Sequence, residues 1–179
     1  MKAVIIYNSK TGFTRRYAQW LAEALGCDCV PFERRMKVRL DDYDAVIFGS
    51  WLRAGTIQGI SWFKEQLPNM TGGLRIVFAV GAMPAEADAE VRKMFEKNFT
   101  DAQRGLIEPF YLQGGIDYGR MDFVSRAAMR MLCRMIRGKK NRTPEDEGML
   151  RMIEKSFDGT KREALEPIIA LVGGAAEED

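Results

Sequence analysis

The sequence predicts an α/β protein: a doubly wound, five-stranded parallel sheet with helices on both faces and a basic helical insertion after the fifth strand. Three observations carry this expectation. Near-continuous apolar runs recur along the chain, as expected of strands buried on both faces. Amphipathic helical patterns lie between them, so successive strands are joined by crossovers and run parallel. Past the fifth run the alternation stops and a segment rich in Met and Arg begins.

The first strand, Val4 to Tyr7, leads through Ser9-Lys10-Thr11-Gly12-Phe13-Thr14 into a helix over Thr14–Leu25. Tyr17, Leu21, Ala24 and Leu25 fall on its apolar face, with Arg15, Arg16, Gln19 and Glu23 outward. Cys27 to Phe32 is a shorter second strand, and Ala45 to Phe48 the third, followed by a loop from Gly49 to Gly55. A helix over Gln58–Leu67 stops at Pro68. The fourth strand, Arg75 to Val80, ends in Gly81-Ala82-Met83-Pro84, and Ala87–Phe99 is a helix with Val91, Met94 and Phe95 inward. The fifth, Ile107 to Leu112, is interrupted by Glu108 and Pro109 and opens into a flexible turn, Gly114 to Gly119.

Met121 to Arg137 then forms a helix whose arginines at 126, 130, 134 and 137 share a stripe. Val124, Ala128, Met131, Leu132 and Met135 lie on the other side, and spacing leaves open which face packs. Thr143-Pro144-Glu145 starts a further helix. Thr160 and Glu163 read as a capping box for the last one, in which Pro167 is a kink or a restart. Residues 1–172 make one domain, with 117–142 as the insertion and 173–179 as a flexible tail.

Composition narrows the chemistry. With no histidine in 179 residues, Ser–His and Cys–His nucleophile pairs and most zinc sites are excluded. Cys27 and Cys29 share one strand face, the pattern of buried structural thiols, so no metal site is expected. Three cysteines are an odd number and do not suggest a disulfide framework. No run reaches the ~18 apolar residues of a membrane span, and the chain reads as strand from residue 2 without a signal pattern. A cytoplasmic protein is expected. Residues 120–142 hold eight Lys or Arg and one Asp, a net of +7, so the remainder carries −5 against an overall +2.

The most informative stretch is residues 9–14. Three hydroxyl residues and a glycine at a helix start, beside free backbone N–H groups and the positive end of the helix dipole, suit a phosphate dianion. Neither the Walker pattern nor G-x-G-x-x-G occurs. Ser and Thr in this place also serve as plain caps, so the loop by itself leaves two readings. Two more small-residue loops, 49–55 and 81–84, end strands on the same sheet edge, where ligands of doubly wound sheets sit.

At these residues the chain resembles the flavodoxin fold family: Ser9-x-Thr11-Gly12-x-Thr14 matches its hydroxyl-x-Thr-Gly-x-Thr phosphate loop. The Gly49-Ser50-x-x-Arg53-x-Gly55 loop, the Gly114-Gly115 turn and the basic Met-rich helix are similar to the branch containing menaquinone-dependent protoporphyrinogen dehydrogenase. The resemblance implies noncovalent FMN. Ser9, Lys10, Thr11, Gly12, Phe13 and Thr14 would hold its phosphate. Ser50, Trp51, Leu52, Arg53 and Ala54 would lie on one side of the isoalloxazine, and Gly81, Ala82 and Met83 on the other. Trp51 reads either as a stacking aromatic or as a plain core tryptophan. The loop at 81–84 lacks the family's usual stacking tyrosine.

On this resemblance the protein is an electron-transfer flavoprotein, exchanging electrons with a redox partner protein or a quinone. The alternative is a protoporphyrinogen-type dehydrogenase passing electrons to a quinone at the membrane surface, and a third reading is an interaction surface without flavin. No acid–base residue stands out as catalytic. The basic helix is a solvated surface helix, a peripheral contact with anionic membrane through Arg126, Arg130, Arg134 and Arg137, or a dock for an acidic partner or carboxylated substrate. If the arginine stripe faces the flavin, it raises the two-electron potential. Without interleaved aromatics it is no nucleic-acid site.

Overall fold

The computed structural model describes residues 1–70 and 73–175. In chain order, β1 (Ala3–Asn8), α1 (Phe13–Leu25) and β2 (Asp28–Pro31) are followed by two 3₁₀ turns and β3 (Ala45–Arg53), which hairpins into β4 (Thr56–Ile57). Then come α2 (Ile60–Gln66), β5 (Leu74–Gly81), α3 (Asp88–Asn98), α4 (Asp101–Arg104), β6 (Glu108–Gln113) and β7 (Gly115–Ile116). The chain closes with α5 (Phe123–Arg137), α6 (Pro144–Ile153), β8 (Phe157–Asp158) and α7 (Glu166–Gly174).

Consecutive residues of the central strands enter opposite cores. Val4 and Ile6 of β1 pack on one side of the sheet and Ile5 on the other. Val46 and Phe48 oppose Ile47 in β3, and Val77 and Ala79 oppose Ile76 and Phe78 in β5. Burial on both faces is the reason these strands read as unbroken apolar runs. Ile60, Phe63, Met94 and Phe95 of α2 and α3 cover one face. Tyr17, Ala18, Leu21, Ile168 and Val172 of α1 and α7 cover the other.

The strands hydrogen-bond in the order β2-β1-β3-β5-β6, all parallel, with the short β4 antiparallel to β3. The order turns back at β1, whose neighbours are β2 and β3. The loops leaving β1, β3 and β5 therefore meet at one carboxyl edge, the switch point of the sheet.

A separate lobe stands beside that edge. Ile116, Cys133, Ile136 and Ile153 form its small core, with Met129, Leu132 and Phe157 packed around it. The segment from 114 to 119 is thus no free turn: Gly115 and Ile116 pair with Asp158 and Phe157. A Cβ at Gly115 would run into the Phe157 carbonyl, which is why glycine stands there.

Other expectations change in detail. Ala18, not Ala24, completes the buried face of α1, and Ala24 is exposed. β3 runs on through Gly49 to Arg53 instead of ending at Phe48, paired first with β5 and then with β4, and glycine stands at 49 because a side chain there would overlap the Phe78 ring. Thr160 caps nothing: its N–H and hydroxyl both donate to Asp158 Oδ1, at 3.0 and 2.7 Å. A 3₁₀ turn, Arg162–Leu165, precedes α7, and Pro167 in its first turn marks a restart. Of the segment expected to be a flexible tail, 173 and 174 are helical and 176–179 lie outside the described residues.

Candidate functional site

The loop from Ser9 to Thr14 joins β1 to α1 with Gly12 as N-cap at φ +102°, a backbone region that glycine enters without steric penalty. No side chain caps α1. The hydroxyls are therefore not serving as plain caps, and the first N–H groups of the helix keep no side-chain acceptor. Ser9 Oγ is buried without a hydrogen-bond partner, and Thr14 is 1% exposed. A buried hydroxyl is nearly always paired, so an unpaired one beside uncapped amides fits an anionic acceptor. Lys10, Arg15 and Arg120 line the same cavity of about 330 Å³ with a single acid, Glu33.

Arg120 belongs to the insertion and was not anticipated from the sequence. Its Nη1 donates to the Thr11 carbonyl at 3.3 Å, and Asp117 holds its Nε at 3.5 Å. A Cβ on Gly12 would come within 2.8 Å of that Nη1. From the other side Lys10 forms an ion pair with Asp122. Asp122 also caps α5, accepting from Ser125 N at 2.8 Å. The Lys10 ammonium, with the Ser125 donors, holds the Asp122 carboxyl well below the usual carboxylate range.

A second cavity, of about 400 Å³, shares Lys10 and Thr11 with the first and is largely apolar. Phe13 and Thr14 lie at its base, and Trp51, Leu52, Arg53 and Ala54 form one wall. Gly81 and Ala82 form another, and Met121, Met129 and Leu132 contribute from the insertion. Lys10 Nζ stands 5.4 Å from the centre of the half-buried Trp51 ring. Two predicted site residues are absent from both linings: Ser50 Oγ donates inward to the Gln58 carbonyl at 2.5 Å, and Met83 presents its carbonyl to Tyr111 Oη at 2.9 Å.

The Trp51 wall is a two-residue hairpin. Ala54 and Gly55 take φ of +48° and +74°, the positive values a type I′ turn requires. Buried Asn98 fixes it: Ile57 N donates to Asn98 Oδ1 at 2.9 Å, and Asn98 Nδ2 donates to the Gly55 carbonyl at 2.8 Å. Lys97 Nζ adds a contact to the Ala54 carbonyl at 2.7 Å. The Gly81 wall is equally constrained, since a Cβ there would lie 2.8 Å from Tyr111 Oη and 2.9 Å from Leu52 Cδ1.

The arginine stripe does not face this cavity. Residues of α5 that line it are Ser125, Ala128, Met129 and Leu132. Arg126 turns to the Met121 carbonyl at 3.1 Å, and Arg137 pairs with Glu154. The condition for a raised flavin potential through those arginines is not met. Among the described residues no three His, Cys, Asp or Glu side chains gather to hold a metal ion.

Residues 4–143 match the family model described as Flavodoxin domain. Solved structures to which the chain is similar include a flavoprotein in complex with FMN from Lactobacillus acidophilus (13% identity, 63% of this chain and 91% of that one, TM-score 0.45). Others are oxidised flavodoxin 1 from Bacillus cereus (20% identity, 63% and 84%, TM-score 0.40) and the Trp repressor binding protein from Bacillus subtilis (15%, 71% and 94%, TM-score 0.49). Among curated proteins no match is found.

Proposed function

The chain belongs to the flavodoxin domain family, and on that premise we propose that it binds FMN noncovalently and serves as an electron-transfer flavoprotein. The observation that carries this reading is the buried, unpartnered Ser9 Oγ beside the uncapped start of α1, adjoining a largely apolar cavity. Bound FMN supplies one- and two-electron redox chemistry; the protein contributes orientation and electrostatics.

In this reading the Ser9, Thr11 and Thr14 hydroxyls and the amides of residues 10–14 hold the phosphate. Lys10 and Arg120 offset its charge. Trp51 to Ala54 on one side and Gly81 with Ala82 on the other flank the ring. Ser50 acts indirectly, by tying the strand end to Gln58. Tyr111 Oη fixes the loop after β5 by donating to Met83. Burial pushes this phenol well above its ordinary range.

The dehydrogenase alternative, with a tetrapyrrole precursor as donor and a quinone as acceptor, draws support from the apolar wall supplied by Met121, Met129 and Leu132. A cavity of about 400 Å³ lies at the small end of ligand sites and favours one planar ring over a ring with a macrocycle stacked on it. Transfer of electrons needs only the ring edge, and electron transfer is therefore the preferred reading. Anaerobic titration of the protein with FMN, followed by flavin fluorescence, tests it. Saturable quenching at one FMN per chain is expected. Unquenched FMN at excess protein would overturn the proposal.

A further inference from the structure

Large apolar side chains stand exposed on α5 beside its arginines, where a surface helix ordinarily presents polar groups. Phe123, Val124, Met131 and Met135 are 84%, 64%, 64% and 60% exposed. Packing of the lobe is supplied from the opposite side, by Met129, Leu132, Cys133 and Ile136. Val124, Met131 and Met135, spaced seven and four apart, share one side of the helix. Arg130 and Arg134 run beside it and make no ion pair among the described residues. Lys140, likewise unpaired among them, follows just past the helix end.

We propose that α5 is a membrane-surface helix that lies on anionic lipid. Phe123, Val124, Met131 and Met135 enter the boundary between headgroups and acyl chains, while Arg130, Arg134 and Lys140 contact lipid phosphates. Two features select this occupant. The flanking cations carry long aliphatic stems that follow the apolar stripe down while their charges stay at headgroup level. Arg130, Arg134 and Lys140, without ion-pair partners among the described residues, oppose a second copy of this chain, whose identical charges would meet across the interface. Charge complementarity selects anionic over zwitterionic lipid. None of this depends on the flavin reading: it rests on which face of α5 packs.

Sedimentation with vesicles of phosphatidylcholine alone, or with added phosphatidylglycerol, tests the proposal on the full-length protein. Binding to the anionic vesicles is expected, falling steeply with added salt. The triple change Val124→Ser, Met131→Ser, Met135→Ser and the pair Arg130→Glu, Arg134→Glu should each lower partitioning at least about tenfold with circular dichroism unchanged. Phe123→Trp should shift its emission to the blue and be quenched by brominated acyl chains. No binding to anionic vesicles would overturn the proposal. So would equal binding by the serine variant, or a dimer in sedimentation equilibrium that the serine changes dissolve. In the last case the second copy is the occupant.

Discussion

Asn98→Ala removes the buried side chain that holds the hairpin at the cavity wall. Asn98 is 5% exposed, accepts from Ile57 N at 2.9 Å and donates to the Gly55 carbonyl at 2.8 Å. It also donates to the Met94 carbonyl at 2.7 Å, but that oxygen lies inside α3 and keeps its helical partner. Truncation therefore strands two backbone groups. Ile57 is buried, and its N–H forfeits about 1–3 kcal/mol without a partner. Gly55, at the half-exposed turn, recovers part of its loss from water. The sum is about 3 kcal/mol, a large fraction of an ordinary domain's stability. Urea unfolding followed by circular dichroism should show a lower midpoint at unchanged slope. FMN affinity should fall as well, because Trp51 and Ala54 lose their anchor. Lys97→Ala, which removes an exposed contact at 2.7 Å from Ala54, should shift the midpoint far less. An Asn98→Ala midpoint within error of the parent protein would refute this account of the hairpin.

Gly12→Ala forces φ +102° on a residue with a Cβ and pushes that atom toward Arg120. About 1–2 kcal/mol of stability is lost, and removing the Arg120 side chain as well should not restore it. Arg120→Ala should weaken FMN binding about three- to tenfold while leaving riboflavin binding, read by the same titration, unchanged. The Asp122 carboxyl, depressed by Lys10, contributes its full stability above the ordinary carboxylate pKa of about 3.9 and loses it progressively as pH falls from there through its lower folded value. The stability gap between the parent protein and Asp122→Asn should thus stay constant from about pH 7 to 5 and close below about pH 4. Burial pushes the Cys27 and Cys29 thiols up to about 11, and each raised value favours the folded state below the unfolded thiol pKa. Stability should decline as pH rises from about 9 to about 11, and Ellman's reagent at neutral pH should modify both far faster in urea than in buffer.

The central sheet was legible because burial on both faces leaves an unbroken apolar run, as in Val4 to Tyr7. Helix α1 was legible from its amphipathic period, with one substitution of Ala18 for Ala24. The loop from Ser9 to Thr14 was legible as a strand–helix junction, but that its hydroxyls leave α1 uncapped was not, since Ser and Thr at a helix start ordinarily serve as caps. The hairpin after β3 was not, since Ala54-Gly55 lacks the Asn-Gly signature and Ala seldom takes positive φ. Nor was Gly49 as a strand residue, because its reason lies 29 positions away in the Phe78 ring. The orientation of α5 was hidden too. Its composition makes both sides partly apolar, and only contacts to Ile116 and Ile153 decide which side packs. Arg120 carried no local signal, for its partner Thr11 precedes it by 109 residues.

The central claim is that the loop from Ser9 to Thr14 grips a phosphate monoester. Its most direct test is the ratio of dissociation constants for FMN and riboflavin, measured by anaerobic fluorescence titration of one preparation. The two ligands differ only in the group the loop is argued to hold. Binding of FMN at least about a hundredfold tighter, some 3 kcal/mol, with the ratio collapsing in Ser9→Ala, is the predicted result. Equal constants for the two flavins, or a ratio that Ser9→Ala leaves intact, would contradict it.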